Sequence, residues 1–253
     1  MKRKFKSLIF DLDGTAIANR QEALPTNAVI KAVSKAQEVI TVSAATGRPI
    51  TNAREIIRKL NLKDPCIVSG GAIILDPKTE EIIWEKLLAE DQVKQIVDVT
   101  KNYPYVVLFS NELLGEEKDV NASEKAVKGP EHAVYIMKVK NEDRLHFLHR
   151  LNSLENIIAH YVPSWTKGHI DIHITHKEAT KKHALEVLVA KLGVEKEEVI
   201  AVGDSNNDKP LFEVAGFKVA MGNGTTDLKE LADFIAPSVE KDGLALVIEK
   251  FIL

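Results

Sequence analysis

Short apolar runs that each end in a polar tip set the strongest limit on how this chain can fold. Ser7–Phe10 runs straight into Asp11, residues 39–45 into Thr46, Gly47 and Arg48, and Cys66–Val68 into the turn Ser69-Gly70-Gly71. Far down the chain, residues 199–202 run into Gly203 and Asp204. Between these runs lie segments with helical spacing. Residues 25–37 space Ala28, Val29, Ala32, Val33 and Ala36 as one face, and residues 51–60 do the same with Ala53, Ile56, Ile57 and Leu60. Apolar strands alternating with amphipathic helices predict a parallel sheet covered by helices, with its functional groups at the C-terminal strand ends.

The middle of the chain follows another rhythm. Helical spacing occupies residues 89–102 and 144–151, and strand patterns occupy 105–109, 133–139, 157–162 and 170–174. Ile170, Ile172 and Ile174 alternate with Asp171 and His173, as in a sheet with one wet face. The polar, charged stretch 115–130 reads as a surface loop. Helix–strand–strand, twice over, predicts a small α+β domain. After Thr180 the first rhythm returns, with a helix over Lys181–Leu192, a strand over 199–202, a helix over 210–215, a strand over Phe217–Ala220 and a helix over 244–251. The expected organisation is a discontinuous core of residues 1–78 and 178–253 holding an insert of residues 79–177. The linkers fall near Asp76-Pro77-Lys78 and Thr175-His176-Lys177.

Composition narrows the partners. A formal net charge of −3 gives no electrostatic case for nucleic acid. The single cysteine, Cys66, excludes an intrachain disulfide and is expected to act as a small buried hydrophobe. The basic N-terminus precedes a run too short for a secretion signal, and no window reaches the ~18 apolar residues of a membrane span. A cytoplasmic protein with no membrane partner is the expectation; oligomeric state has no signal in the sequence.

Four constellations carry chemistry. In Asp11-Leu12-Asp13-Gly14-Thr15, alternation along an extended segment points two carboxylates to one side. Carboxylates so close repel unless a proton or cation intervenes, and a hard divalent ion is the natural partner. Thr46-Gly47-Arg48 joins a hydroxyl, a glycine amide and a guanidinium at a strand end, which suits a phosphate cradle as well as a plain helix start. Thr51 is a second cap candidate, which would free Thr46 for other work. Lys181 opens a helix, against the dipole preference for anions there, so an anion beside it would explain it. Gly203-Asp204-Ser205-Asn206-Asn207-Asp208 packs carboxylates and amides at one strand end, suited to an oxygen-ligand metal site or an Asx-rich turn.

In order and spacing these motifs resemble the haloacid dehalogenase (HAD) superfamily, and within it the Cof-type branch, subfamily IIB. The resemblance covers nearly the whole chain and implies a Rossmann-like parallel-sheet core with an inserted α+β cap domain. It implies a Mg²⁺-dependent phosphatase working through an aspartyl-phosphate on Asp11. On this resemblance Asp11 is nucleophile and metal ligand, and Asp13 is general acid/base with a metal contact through its backbone carbonyl. Thr46, Gly47 and Lys181 hold the phosphoryl group, Arg48 faces substrate, Asp204 completes the metal ligands, and Asn207 and Asp208 support that end of the site. The branch often carries an Asn-Gly-Ala turn after its third strand; here the turn is Ser69-Gly70-Gly71-Ala72, without the side-chain amide. The implied substrate is a small phosphate ester, a sugar phosphate or a phosphoglycolate-like molecule, with Trp165, Lys167, His169 and His173 of the insert as candidates to reach its leaving group. Two alternatives stand beside it: a phosphomutase on the same scaffold, and a catalytically silent phosphate-binding module.

Overall fold

A computed structural model describes residues 5–20, 22–111, 116–121, 127, 129–164 and 166–253. It divides into two compact units, one made of the chain up to Trp84 and from Lys181 onward, the other of Glu85–Thr180.

The first unit begins with β1 (Ser7–Phe10), α1 (Asn27–Ala36), β2 (Thr41–Ala44), α2 (Ile50–Lys59), β3 (Cys66–Val68), β4 (Ile73–Leu75) and β5 (Ile82–Glu85). Val29, Ala32, Val33 and Ala36 form the buried face of α1, and the Thr26 hydroxyl caps it by accepting from the Val29 amide at 3.2 Å. Helix α2 starts one residue earlier than the sequence suggests. Pro49 occupies its cap position with φ −53°, and Thr51 lies inside the first turn instead of capping it. Proline's fixed φ and missing N–H make it a ready helix opener. The chain doubles back from β4 to β5, so that this unit extends to Trp84.

The second unit holds α3 (Glu90–Thr100), β6 (Val106–Asn111), β7 (Glu116–Asn121), β8 (Ala133–Lys140), α4 (Arg144–Asn152), β9 (Ile157–Pro163) and β10 (His169–His176). Its sheet has the order β7-β6-β8-β10-β9, antiparallel throughout. Val93, Ile96, Val97, Phe147 and Leu151 of the helices pack with Ile136, Ile170, Ile172 and Ile174 in one apolar core. The surface-loop expectation for 115–130 is corrected at Glu116–Asn121, which pairs residue for residue with β6. A charged strand is well tolerated at a sheet edge, where it discourages further pairing. The wet-face expectation fails at Asp171, which is buried and accepts the Lys138 amide at 2.8 Å. That bond satisfies a bulge where Lys138 takes φ +54°.

The first unit resumes with α5 (Lys181–Leu192), β11 (Val199–Gly203), α6 (Lys209–Val214), β12 (Phe217–Ala220), α7 (Thr226–Glu230), β13 (Phe234–Ile235) and α8 (Gly243–Phe251). Its main sheet has the order β13-β12-β11-β1-β2, all parallel. The chain leaves β1 toward β2 on one side and β11 toward β12 on the other. In open α/β sheets such a reversal marks the usual ligand position, outside the carboxyl ends of the strands, here β1 and β11. Among the described residues no helix is long and apolar enough to cross a membrane.

Cys66 is fully buried in β3, and burial pushes its thiol up to about 12. Between pH 9 and 12 the unfolded chain releases a proton that the folded chain keeps, so this group lowers stability as pH rises. Native protein at pH 8 is expected to resist an aromatic disulfide reagent and urea-unfolded protein to react with one thiol per chain; rapid labelling of the native form would refute this burial.

Candidate active site

The register of the main sheet brings the motif residues together. Phe10 pairs with Val202 on one side and Ala44 on the other, so Asp11 and Ala45 begin their loops level with Gly203, the last residue of β11. The Asp11 amide still bonds to Val202 O at 2.9 Å, and the Ala45 amide to Phe10 O at 2.8 Å. Asp11 is therefore held by the sheet at the tip of β1, with its side chain buried.

Lys181, on the buried face of α5, is the central cation. Its Nζ lies 2.5 Å from Oδ1 of Asp11 and 2.5 Å from Oδ1 of Asp208, with all three side chains buried. Lys182 points elsewhere and makes an exposed pair with Glu213. Burial alone would lower the Lys181 ammonium, but the charges of Asp11 and Asp208 outweigh it and hold it above its ordinary value. Burial raises the Asp11 carboxyl well above the carboxylate range, and Asp208 raises it further against the pull of Lys181. Asp204 is pushed up to about 7, first by burial and then by Asp208.

Oxygens of Asp11, Asp204 and Asp208 lie within 4.8 Å of one another. Asp208 is committed to the protein: beyond Lys181, its Oδ2 accepts the amides of Asp204 at 3.0 Å and Ser205 at 3.1 Å. Asp11 and Asp204 remain as crowded oxygen donors with too little positive charge nearby. Such a donor set fits a hard divalent cation. Asn207 Oδ1 accepts from the Ser205 hydroxyl.

Asp13 faces a different partner. Arg48 Nε lies 2.7 Å from its Oδ2 and Nη2 lies 2.6 Å from its Oδ1, a two-pronged clamp. The guanidinium that the motif resemblance directs toward substrate thus holds a carboxylate of the first motif. Thr46 is fully buried, and its hydroxyl accepts the Arg48 amide at 3.1 Å; Gly47 between them is half-buried. The turn after β3 supports this loop through backbone alone. The Ser69 amide donates to Arg48 O at 2.9 Å, and the Gly70 amide to Thr46 O at 3.1 Å. The side-chain amide missing from this turn is not needed for that role.

The remaining candidates belong to the second unit. Lys167 is exposed, and His169 Nδ1 lies 3.2 Å from Lys167 O. His173 packs edge-on to Tyr135 and His160, and desolvation there lowers its imidazole to about 3, so it stays neutral at physiological pH. Trp165 lies outside the described residues. One residue of the first unit went unnoticed in the sequence. Asn223, after β12, donates from Nδ2 to Gly14 O at 2.8 Å. Its signal was the Gly222-Asn223-Gly224 string directly after an apolar strand, which reads equally as an ordinary turn.

The profile of haloacid dehalogenase-like hydrolases matches residues 8–248. The chain belongs to that family. It is 27% identical over 254 residues to a phosphoglycolate phosphatase of Methanobrevibacter smithii, covering 98% of each chain. It is 28% identical over 253 residues to the 5-amino-6-(5-phospho-D-ribitylamino)uracil phosphatase YcsE of Bacillus subtilis, covering 98% of this chain and 96% of that one. Its fold is shared with a solved HAD subclass IIB sugar phosphatase, at TM-score 0.78 and 23% identity over 97% of this chain and 98% of the other. The family resemblance drawn from the motifs is thereby borne out, as is the α/β class. In this member of the hydrolase family Asp11 meets Lys181 and Asp204, and Asp13 meets Arg48.

Gly14 makes the close approach of the two motif loops possible. It has φ +76°, and a Cβ there would fall 2.2 Å from Oδ2 of Asp204. Gly14→Ala is expected to cost about 1–3 kcal/mol of stability and to weaken divalent-cation binding. Urea unfolding and calorimetric titration with Mg²⁺ check the two effects, and native values in both would contradict the packing.

Proposed function

We propose that the protein is a Mg²⁺-dependent phosphatase acting on a small phosphorylated metabolite through a phosphoryl group carried on Asp11. The observation that carries this reading is the buried Asp11 carboxylate at the tip of β1, bonded to Lys181 at 2.5 Å and clustered with Asp204. A carboxylate so placed is a held nucleophile with a cation beside it. Family membership supports hydrolysis, and both named relatives are phosphatases acting on different esters.

In the first step an Asp11 oxygen attacks phosphorus as the bond to the leaving oxygen breaks. Asp13, once one of its oxygens has left the Arg48 fork and taken up a proton, gives that proton to the leaving oxygen. In the second step Asp13, now a carboxylate, takes a proton from water; the water oxygen bonds to phosphorus and the Asp11 carboxylate departs. The sum is ester plus water to alcohol plus inorganic phosphate. Lys181 offsets charge on the phosphoryl oxygens, with the Thr46 hydroxyl and Gly47 amide as further donors. Asp11 and Asp204 would hold Mg²⁺ together with the backbone carbonyl of Asp13, and Asn207 and Asp208 would steady that end of the site. The ion when bound neutralises developing negative charge. Arg48 orients Asp13. The substrate class is a sugar phosphate or a phosphoglycolate-like ester.

Phosphate release from a panel of phosphorylated metabolites with Mg²⁺ tests the reading; inactivity across the panel would defeat it. Asp11→Asn is expected to lose turnover by several orders of magnitude, and near-native steady-state activity in that variant would remove Asp11 from the nucleophile role. Arg48→Lys keeps the charge but not the fork, so kcat should fall on the order of 10–100-fold with KM little changed. Steady-state kinetics at saturating Mg²⁺ decide this, an unchanged kcat counting against the clamp.

A further inference from the structure

The turn Met221-Gly222-Asn223-Gly224-Thr225 follows β12, the neighbour of β11, and touches both loops that carry the acidic motifs. The Thr225 amide donates to Asp204 O at 2.8 Å. A Cβ on Gly224 would lie 2.8 Å from that same oxygen, so the turn fits tightly under Asp204. Asn223 adds the side-chain contacts. Its Oδ1 accepts the Val239 amide at 2.8 Å. An amide N–H can only donate, so this bond fixes which end of the side chain is oxygen. Nδ2 must then face the other way, toward the Gly14 carbonyl, which can only accept, at 2.8 Å, with Asp204 Oδ2 at 3.5 Å. One neutral amide thereby joins backbone of the first motif to a side chain of the last.

We propose that Asn223 is a positioning residue that presets the divalent-cation site by holding the Gly14 peptide and the Asp204 carboxylate as one unit. This rests on the metal-dependent reading above. The chemistry favours this residue type. The site already gathers Asp11, Asp204 and Asp208 within 4.8 Å, so another charge would worsen the repulsion. An aspartate at 223 would turn an oxygen toward Gly14 O, and a lysine would compete with the cation. A carboxamide supplies a donor at no charge. Without it, repulsion among the carboxylates separates the two loops, and reordering them opposes cation binding. Groups that orient metal ligands from behind typically change affinity 10–100-fold when removed.

The test uses the full chain with Asn223→Ala and Asn223→Asp, the second keeping the acceptor for Val239 but losing the donor. Mg²⁺ affinity is read by calorimetry, folding by urea unfolding, and kcat and KM across Mg²⁺ concentrations. Both variants should bind Mg²⁺ about 10–100-fold more weakly, with kcat and KM returning toward native values as Mg²⁺ is raised. Should Asn223→Ala fail to fold, Asn223→Asp decides alone. Native or tighter Mg²⁺ binding in a folded variant overturns the proposal, even where the urea midpoint falls, because the residue would then serve packing only. Native protein that binds no Mg²⁺ and hydrolyses esters without it overturns the metal-dependent reading itself, and the role of Asn223 with it; that outcome is distinct because it appears before any substitution.

Discussion

The ammonium of Lys181 between Asp11 and Asp208 is the interaction on which this architecture turns. It joins the tip of β1, the start of α5 and the loop after β11, three pieces of chain that share no local sequence. Each charge would be costly to bury alone, and losing one partner of a buried pair typically costs about 3–5 kcal/mol. The lysine also stands at a helix N-terminus, where the dipole disfavours a cation. Only the two carboxylates at 2.5 Å make the position tenable. The same contact leaves the Asp11 carboxylate held, desolvated and beside positive charge.

Sheet order explains why these groups meet. β1 lies at the point where the chain's direction across the sheet reverses, with β11 beside it. Loops leaving two such strands diverge to opposite faces and leave space above the sheet. Asp11 and Asp204 follow those two adjacent strands, and their carboxylates come within 4.8 Å. Around them the backbone closes tightly, with Gly14 against Asp204 and the Ser69–Gly71 turn under the Thr46 loop. Arg48 completes the arrangement by clamping Asp13.

Much of this was legible in the residue order. The strands that carry Asp11 and Asp204 are near-continuous apolar runs, as expected of strands in a parallel sheet covered on both faces. Helices α1 and α5 announced themselves by apolar spacing. Strand β7 did not: Glu116–Asn121 is charged, and its conformation comes from hydrogen bonds offered by β6 and not from its own composition. The start of α2 was misplaced because Thr51 looked like a cap while Pro49 had already set the turn. Asp171 looked solvated because alternation reports the side of a strand, not what covers it. Asn223 was hidden because its partner Gly14 lies 209 residues away.

From the sequence alone came the kinds of chemical groups present, their attachment to strand ends, and membership of a hydrolase family, all set by short-range pattern. Which group touches which was decided by the fold. Arg48 turned to Asp13 instead of standing free, Asp208 took both Lys181 and two backbone amides, and Asn223 bridged two motifs. Pairing depends on strand register and side-chain direction across long separations. Such distances have no trace in local spacing, because they exist only after the chain has closed on itself.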